Sequence, residues 1–274
     1  IMPHANINGA RLWYNTPGNP PDNAATLLLH HGYTASRVNW MPIADRLQDT
    51  YRIVLMECRG TGESEDTANG YNLAQYAADV IGMADHLGLD KFTYAGHSMG
   101  GGIGFLLGLD YADRLDQLIL MAPIPSGGIS ALPDEAYIQE RLAARRRQDR
   151  AYFLKEQIAG RFRPDVQTDA WFESRVDHLL RVSEGHYLGG LDTMLDLDVE
   201  HRLAQLFVPT LMLAGAVDGL LNANLLDYMR LPDASLHVFS RAGHDVAIHE
   251  PEGVSQAIDA FMRHGPLTAA KLAR

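Results

Sequence analysis

Short apolar runs alternate along this chain with longer segments in which apolar residues recur at helical spacing. Several runs are apolar at nearly every position, which is typical of strands buried on both faces of a parallel sheet. The predicted strands are Thr26–His31, Tyr51–Met56, Phe92–Ala95, Leu115–Met121, Pro209–Ala214 and Ser235–Phe239. Helical spacing is clear at Leu73–Leu87 and Pro251–Met262. The alternation predicts an α/β protein with a mostly parallel central sheet flanked by helices.

The interval between the fourth and fifth predicted strands breaks this alternation. Residues from about 125 to 200 carry amphipathic segments but no strand pattern. These segments are Pro133–Arg150, Tyr152–Phe162, Trp171–Val182 and His186–Leu195. We therefore predict a core domain of residues 1–124 and 200–274, with a helical cap inserted at 125–199 over the edge of the sheet.

Composition narrows the class of protein. The chain has 274 residues and a formal net charge of −11, which argues against nucleic acid or an anionic membrane as a partner. Its one cysteine, Cys58, cannot form an internal disulfide and is predicted to pack as a small buried hydrophobe. Because no signal-peptide pattern and no long apolar run is present, we expect a cytoplasmic protein. The expected partner is a small-molecule substrate, and the expected state is a monomer or a homodimer.

The pentapeptide Gly96-His97-Ser98-Met99-Gly100 is the clearest chemical signal in the chain. It lies where a predicted strand turns into a helix, and a serine at such a turn projects its hydroxyl from the sheet edge. The glycines two residues before and after the serine let the backbones pass closely. The helix that follows directs its positive end at charge that forms beside the serine. We therefore predict that Ser98 is a nucleophile for an acyl carbon.

A serine of this kind needs a base, and the base needs an orienting acid. Among 12 histidines, His244 directly follows the last predicted strand and so reaches the same sheet edge as Ser98. Asp218 directly follows the fifth predicted strand and is the predicted acid. His97 adjoins the serine, but at a tight turn its side chain must point elsewhere. We interpret Asp245 as a local turn acid, and the weaker alternatives for the orienting acid are Asp192, Asp196 and Asp198.

An oxyanion formed at this site needs preorganised donors. The predicted donors are the backbone N–H groups of Met99, which follows the serine, and of Tyr33, in the loop after the first predicted strand. Candidates for the substrate pocket are His31, Trp40, Phe153, Trp171 and Tyr187. Most cap aromatics are expected to pack against one another, and the sequence leaves open which of them line the pocket. Since no H-E-x-x-H, paired C-x-x-C or Walker loop is present, we expect no metal and no cofactor.

Together these residues resemble the α/β-hydrolase superfamily over nearly the whole chain. The matching blocks are His31-Gly32, Arg59–Ser64, Gly96–Gly101, Gly215 with Asp218, and Gly243-His244 followed by Glu250-Pro251. The chain order serine, aspartate, histidine is also that of the superfamily. The chain is most similar to the compact bacterial esterases, enol-lactonases and carbon–carbon bond hydrolases, and the resemblance implies an esterase-like fold with a cap over the site. Two positions depart from the usual pattern, with Glu57 where aspartate is frequent and Thr34 where proline or glycine is frequent.

These features predict a serine hydrolase that cleaves a small to medium carboxylic ester or lactone through an acyl-enzyme on Ser98. Serine at this position excludes the dehalogenase and epoxide hydrolase relatives, which use aspartate. Two alternatives stay open. One is a carbon–carbon bond hydrolase of a vinylogous diketone, for which cap residues such as Arg175 and Arg181 would bind a substrate carboxylate. The other is a slow-turnover ligand receptor of the same fold.

Overall fold

The computed structural model describes residues 3–129 and 134–272, in which a twisted eight-stranded sheet forms the centre. The strands are β1 His4–Ile7, β2 Ala10–Asn15, β3 Thr26–His30, β4 Arg52–Met56, β5 Phe92–His97, β6 Leu115–Met121, β7 Thr210–Gly215 and β8 Ala234–Phe239. Their order across the sheet is β1-β2-β4-β3-β5-β6-β7-β8. The pairs β1–β2 and β2–β4 are antiparallel and the others are parallel, which confirms the predicted mostly parallel sheet.

Helices cover both faces of this sheet. The α-helices of the described residues are α1 Met41–Leu47, α2 Leu73–His86, α3 Met99–Asp110, α4 Glu135–Arg146, α5 Arg150–Ala159, α6 Asp169–Arg181, α7 Glu184–Leu195, α8 Leu221–Arg230, α9 Val246–His249, α10 Pro251–His264 and α11 Ala269–Leu272. Helices α2 and α3 bury one face, and α1, α9 and α10 bury the other. Along β3, Leu28 packs into the first layer and Leu27 and Leu29 into the second, as strand alternation requires. Within the described residues, no helix combines the length and apolar character that crossing a membrane requires.

The N-terminal hairpin β1–β2 is absent from the sequence prediction. Its two-residue turn is Asn8-Gly9, and both residues have positive φ, at 48° and 76°. These angles match the turn that fits the twist of a hairpin, and Asn-Gly is its strongest sequence signal. The flanking strands are short and lie at the sheet edge, so their apolar pattern is weak. The dipeptide itself was the signal available for finding them.

The predicted helices between β6 and β7 correspond to α4–α7. Pro133, the predicted start of the first, lies outside the described residues. Part of this segment packs around its own apolar cluster of Ala144, Phe153, Val176 and Leu179. We interpret residues 125–199 as the cap on this basis, and the division into core and cap remains our proposal.

The sheet topology determines where the candidate site residues lie. The loops that follow β3, β5, β7 and β8 leave parallel strands, so they emerge at the same edge of the sheet. These loops carry Tyr33, Ser98, Asp218 and His244, respectively. Residues separated by more than 200 positions in sequence are thereby brought to one edge.

Candidate active site

Ser98 occupies a strained turn between β5 and α3. Its φ of 55° and ψ of −115° are unfavourable for any residue with a Cβ atom. The turn is held by the Ser98 N–H, which donates to the Met121 carbonyl at 3.0 Å, and by the Ser98 carbonyl, which accepts from Ile124 N–H at 3.1 Å. A Cβ atom on Gly96 would lie 2.1 Å from the Gly100 carbonyl oxygen, so only glycine fits there. The G-x-S-x-G pattern is thus a steric requirement of this turn.

Ser98, His244 and Asp218 form a continuous hydrogen-bonded chain. Ser98 Oγ lies 2.9 Å from His244 Nε2, and His244 Nδ1 lies 2.9 Å from Asp218 Oδ2. The other Asp218 oxygen accepts from the Leu220 N–H at 3.0 Å, which fixes the carboxylate. When His244 Nδ1–H donates to Asp218, Nε2 is free to accept the serine proton. The arrangement can move a proton from the serine to the imidazole.

The charges around His244 favour its protonated form. Desolvation lowers the pKa of His244, but the hydrogen bond and negative charge of Asp218 outweigh it and raise the pKa above its ordinary value. Burial raises the pKa of Asp218, whereas its contact with His244 lowers it by more, so the carboxyl group remains ionised. An ionised Asp218 would stabilise an imidazolium formed at His244.

Two further histidines support the loop that carries His244. His97 donates from Nε2–H to the His244 carbonyl at 2.9 Å, and the ring centroids of the two histidines lie 4.9 Å apart. Burial, followed by the nearby charge of His244, lowers the pKa of His97 to about 4, so it stays a neutral donor. The ring of His249 accepts from the Gly243 N–H at 3.2 Å through Nδ1. Sequence analysis did not identify these supporting roles, because nothing in the local pattern distinguishes a histidine that braces a loop.

Asp245, interpreted above as a turn acid, and Asp198, one of the alternative orienting acids, make different contacts. Asp245 accepts a hydrogen bond from Asn39 Nδ2 at 3.0 Å and is the N-cap residue of α9. Asp198 is exposed and lies 3.7 Å from His201. In the described part of the chain, Asp218 is the carboxylate in contact with the His244 side chain.

Two backbone donors beside the serine have no acceptor. Met99 is the first residue of α3, and Tyr33 lies in the turn after β3. Across residues 3–129 and 134–272, neither N–H makes a hydrogen bond. The Tyr33 loop packs against the serine, since a Cβ atom on the neighbouring Gly32 would lie 2.9 Å from Ser98 Cβ. An oxyanion formed beside Ser98 would require free donors at this place.

Helices α6 and α7 hold the loop that contains Tyr33. The Tyr33 hydroxyl donates to the Tyr187 carbonyl, and its ring stacks on His186 with centroids 5.8 Å apart. Arg175 donates from Nη1 to the Thr34 carbonyl at 2.5 Å and from Nη2 to Thr34 Oγ1 at 3.2 Å. Thr34 needs such support because its φ of 51° is unfavourable for a β-branched residue.

Three residues predicted for the substrate pocket have structural roles instead. His31 is fully buried, and its ring donates to the Gly32 carbonyl at 2.8 Å and accepts from the Cys58 N–H at 3.1 Å. Trp40 is fully buried against the sheet and donates from Nε1 to the His30 carbonyl at 2.8 Å. Phe153 is fully enclosed in the apolar cluster of α4–α6. Their contacts lie across the fold, so the linear sequence did not distinguish them from pocket residues.

The other two predicted pocket residues differ from each other. Trp171 is half-buried and packs edge-on against Phe172, with ring centroids 4.8 Å apart. Tyr187 is nearly buried and lies against Tyr33, with ring centroids 6.0 Å apart. Of these two residues, Tyr187 is the one that contacts the loop after β3.

Three buried side chains beneath this loop bring potential metal-ligand atoms close together. The ligand atoms of His30, His31 and Cys58 all lie within 4.8 Å of one another. Each is engaged in hydrogen bonding, for example His30 Nε2 with Cys58 Sγ at 3.2 Å and His30 Nδ1 with the Tyr94 hydroxyl at 2.9 Å. Burial raises the pKa of the Cys58 thiol, which disfavours the thiolate that a metal requires. These residues form a structural network under the site.

Comparison with known proteins agrees with this architecture. The "Putative carbamate hydrolase RutD" of Caulobacter sp. (strain K31) is 27% identical over 267 residues, covering 92% of this chain and 95% of that protein. The structure of an esterase from Thermogutta terrifontis is 27% identical with a TM-score of 0.75, and covers 93% of both chains. The enol-lactonase structure from Burkholderia xenovorans LB400 has a TM-score of 0.84 at 20% identity, covering 96% of this chain and all of the other, and shows the shared fold. A family model described as alpha/beta hydrolase fold matches residues 25–251, and the chain therefore belongs to the α/β-hydrolase family.

Proposed function

We propose that this protein is a serine hydrolase that cleaves a small to medium carboxylic ester or lactone. The observation that carries the proposal is the series of hydrogen bonds from Asp218 to His244 and from His244 to Ser98, both at 2.9 Å. The unused N–H groups of Met99 and Tyr33 lie on the loops beside it. A nucleophile, a base, an acid and an oxyanion site are the parts that acyl transfer to water requires.

In the proposed mechanism, Ser98 Oγ attacks the acyl carbon while His244 Nε2 takes its proton. Asp218 stabilises the resulting imidazolium, and the Met99 and Tyr33 N–H groups bind the oxyanion. His244 then protonates the departing alkoxide, which leaves an acyl group on Ser98. A water molecule, deprotonated by His244, attacks this ester and releases the acid, which restores the serine.

The names of the similar proteins support an ester or lactone as the substrate class. An esterase, an enol-lactonase and a carbamate hydrolase would each be expected to act at an acyl carbon. Helices α6 and α7 contact the loop beside Ser98. Because these helices lie close to Ser98, the site favours small to medium substrates over emulsified lipid. Rapid hydrolysis of emulsified triglyceride would contradict this size limit.

A second candidate is hydrolysis of a carbon–carbon bond in a vinylogous diketone, with the same three residues. Arg175 favours this candidate, because a cation beside the loop after β3 suits an acidic diketone. Release of a free acid from such a diketone, faster than from any ester, would replace the esterase proposal with this one.

The test is hydrolysis of p-nitrophenyl esters from acetyl to dodecanoyl, with wild type beside Ser98→Ala. We expect the substitution to lower kcat by at least about 10⁴-fold, since the nucleophile is lost while the oxyanion donors remain. Ser235→Ala, on β8, is the matched serine control and is expected to retain activity. A fluorophosphonate probe should label wild type at Ser98 and fail to label Ser98→Ala. Equal rates in wild type and Ser98→Ala, together with no labelling, would overturn the proposal.

A further inference from the structure

Arg175 differs from its neighbours in the helical segment in the type of partner it contacts. Arg181, less than two turns further along α6, pairs with Asp66 at 3.1 Å. Arg141 on α4 pairs with Glu156 at 2.9 Å. Arg175 instead donates to two neutral oxygens of Thr34. Within the described residues, no carboxylate forms a salt bridge with it. The remaining N–H groups of its guanidinium are available to another acceptor.

The positive charge of Arg175 acts on His244, the candidate catalytic histidine. Burial is the main cause that lowers the pKa of His31, and the positive charge of Arg175 adds to it. The same charge partly opposes the rise in the pKa of His244 that Asp218 causes. Burial lowers the pKa of Arg175, and the negative charge of Asp245 raises it in part. Oδ1 of Asp245, however, accepts its hydrogen bond from Asn39 Nδ2. Arginine stays protonated even where burial lowers its pKa, as it does here. A partly buried cation therefore lies beside the loop that carries the Tyr33 donor, without a contacting counter-charge.

A second cation in the same region also lacks a carboxylate partner. Arg145 is 6% exposed, donates to the Val182 carbonyl and lies over the Tyr187 ring at 5.0 Å. Its Nε atom is buried, with no hydrogen-bond partner among the described residues. Tyr187 contacts Tyr33, so Arg145 lies one residue away from the loop after β3, which Arg175 contacts directly. Two cations without a carboxylate partner near one loop contrast with the net charge of −11 of the whole chain.

We propose that Arg175 is a substrate-binding residue for a carboxylate, so that the ester or lactone cleaved at Ser98 is itself anionic. This assignment rests on the proposed function of Ser98. A guanidinium with unused donors binds a carboxylate through two parallel hydrogen bonds, which are stronger than those between neutral groups. The bound carboxylate takes no part in bond breaking. It supplies the counter-charge that Arg175 lacks and orients the scissile carbonyl towards Ser98.

The first experiment compares matched neutral and anionic substrates. On the acyl side, p-nitrophenyl valerate is compared with mono-p-nitrophenyl glutarate, in which a carboxylate replaces the terminal methyl group. On the alcohol side, p-tolyl acetate is compared with 4-acetoxybenzoate. We expect the ratio of kcat/KM, anionic over neutral, to fall about tenfold or more in Arg175→Gln for one of the two pairs. Arg175→Lys should retain part of the ratio, because it keeps the charge but loses the planar fork.

Arg181→Gln provides the matched control, because Arg181 lies on the same helix but is paired with Asp66 at the surface. It should leave both ratios unchanged. The ratio is the decisive quantity, since loss of the Thr34 contacts would lower the rates of neutral and anionic substrates together. Unchanged ratios for both pairs in Arg175→Gln would overturn the assignment and leave Arg175 as a support for Thr34.

A binding measurement separates failure of this assignment from failure of the proposed function. Calorimetric binding of glutarate and of 4-hydroxybenzoate to Ser98→Ala needs no turnover, and Arg175→Gln in that background should weaken binding of one of them about tenfold. Hydrolysis of p-nitrophenyl valerate and probe labelling of Ser98 report on the proposed function independently. If the labelling succeeds while neither ligand distinguishes the two variants, the carboxylate site alone is rejected.

Discussion

In the proposed mechanism, the imidazole of His244 acts as a base only while it is neutral, and Asp218 influences the pH range in which that holds. The Asp218 carboxylate favours the protonated ring through a hydrogen bond of 2.9 Å. Asp218, the proposed orienting acid, therefore also raises the pKa of His244, the proposed base. The two effects can be separated by measurement, because orientation affects the maximum rate and the charge affects its pH dependence.

We predict that kcat/KM for an uncharged p-nitrophenyl ester rises with pH, with a midpoint above about 6.5, the ordinary pKa of histidine. Below that midpoint His244 is protonated and cannot take the serine proton. Asp218→Asn should lower kcat by about 10³–10⁴-fold and move the midpoint to lower pH, because both the hydrogen bond and the charge that raise the pKa are lost. Asp198→Asn, an exposed substitution, is the control and should keep the wild-type profile. A midpoint unchanged in Asp218→Asn would contradict this account.

At the scale of an element, the unit from β5 through the Ser98 turn to α3 depends on close backbone contacts. A Cβ atom on Gly96 would lie 2.1 Å from the carbonyl oxygen of Gly100, and Gly100 lies in the first turn of α3. Backbone atoms at the start of a helix cannot move aside as a flexible side chain does. The strain at Ser98 is thus maintained by the packing of the elements on either side.

Gly96→Ala is predicted to reduce the free energy of unfolding by about 3 kcal/mol, at the upper end of the usual cost of overpacking. Gly160→Ala serves as the control, because Gly160 is exposed and an added Cβ would meet its nearest atom at an ordinary 3.6 Å. That change should stay within about 1 kcal/mol of wild type. Urea unfolding of the three proteins at one pH measures both effects, and equal stabilities would show that the turn relaxes.

The helical segment α4–α7 matters at this scale because two of its helices contact the loop after β3. Arg175 on α6 bonds Thr34, and Tyr187 on α7 accepts from the Tyr33 hydroxyl. The backbone donor of Tyr33 is therefore positioned partly from outside the sheet. The sequence predicted the helices and proposed both donors, but the connection between them depends on side chains that meet only in the fold.

On the scale of the whole molecule, several histidines are buried in neutral form. Burial lowers the pKa of His31 to about 4 and that of His186 to about 3, and it also lowers the pKa of His30. In the unfolded chain these rings would titrate near 6.5. Between the two values, the unfolded state binds more protons than the folded state. Stability is therefore full above pH 6.5 and falls as the solution is acidified.

We predict that each of these histidines lowers the free energy of unfolding by about 1 kcal/mol per pH unit between pH 6.5 and its folded pKa. Urea unfolding at pH 7, 6 and 5 measures the slope. His186→Phe should be less stable at pH 7, because the Tyr76 hydroxyl loses its ring partner, yet show a flatter dependence on pH. His237→Phe, at an exposed position of β8, should keep the wild-type slope. A slope unchanged in His186→Phe would rule out its contribution.

Much of this protein was determined by local sequence. Buried apolar runs indicated the parallel strands β3 to β8, because a strand covered on both faces has no polar side. Glycines around Ser98 indicated the tight turn, and positions directly after strands indicated Asp218 and His244, because parallel strands end at one edge. The α/β-hydrolase family is confirmed, whereas the catalytic roles of these residues remain predictions.

Only the tertiary structure decided which side chains are left without partners. Trp40 and Phe153 are buried in apolar packing, although their residue type equally suits a pocket. Arg175 and Arg181 lie on one helix and look alike in sequence, yet Arg181 finds Asp66, which is 115 positions away, while Arg175 meets the neutral oxygens of Thr34. Burial and charge compensation depend on residues distant in sequence, which is why local patterns cannot supply them.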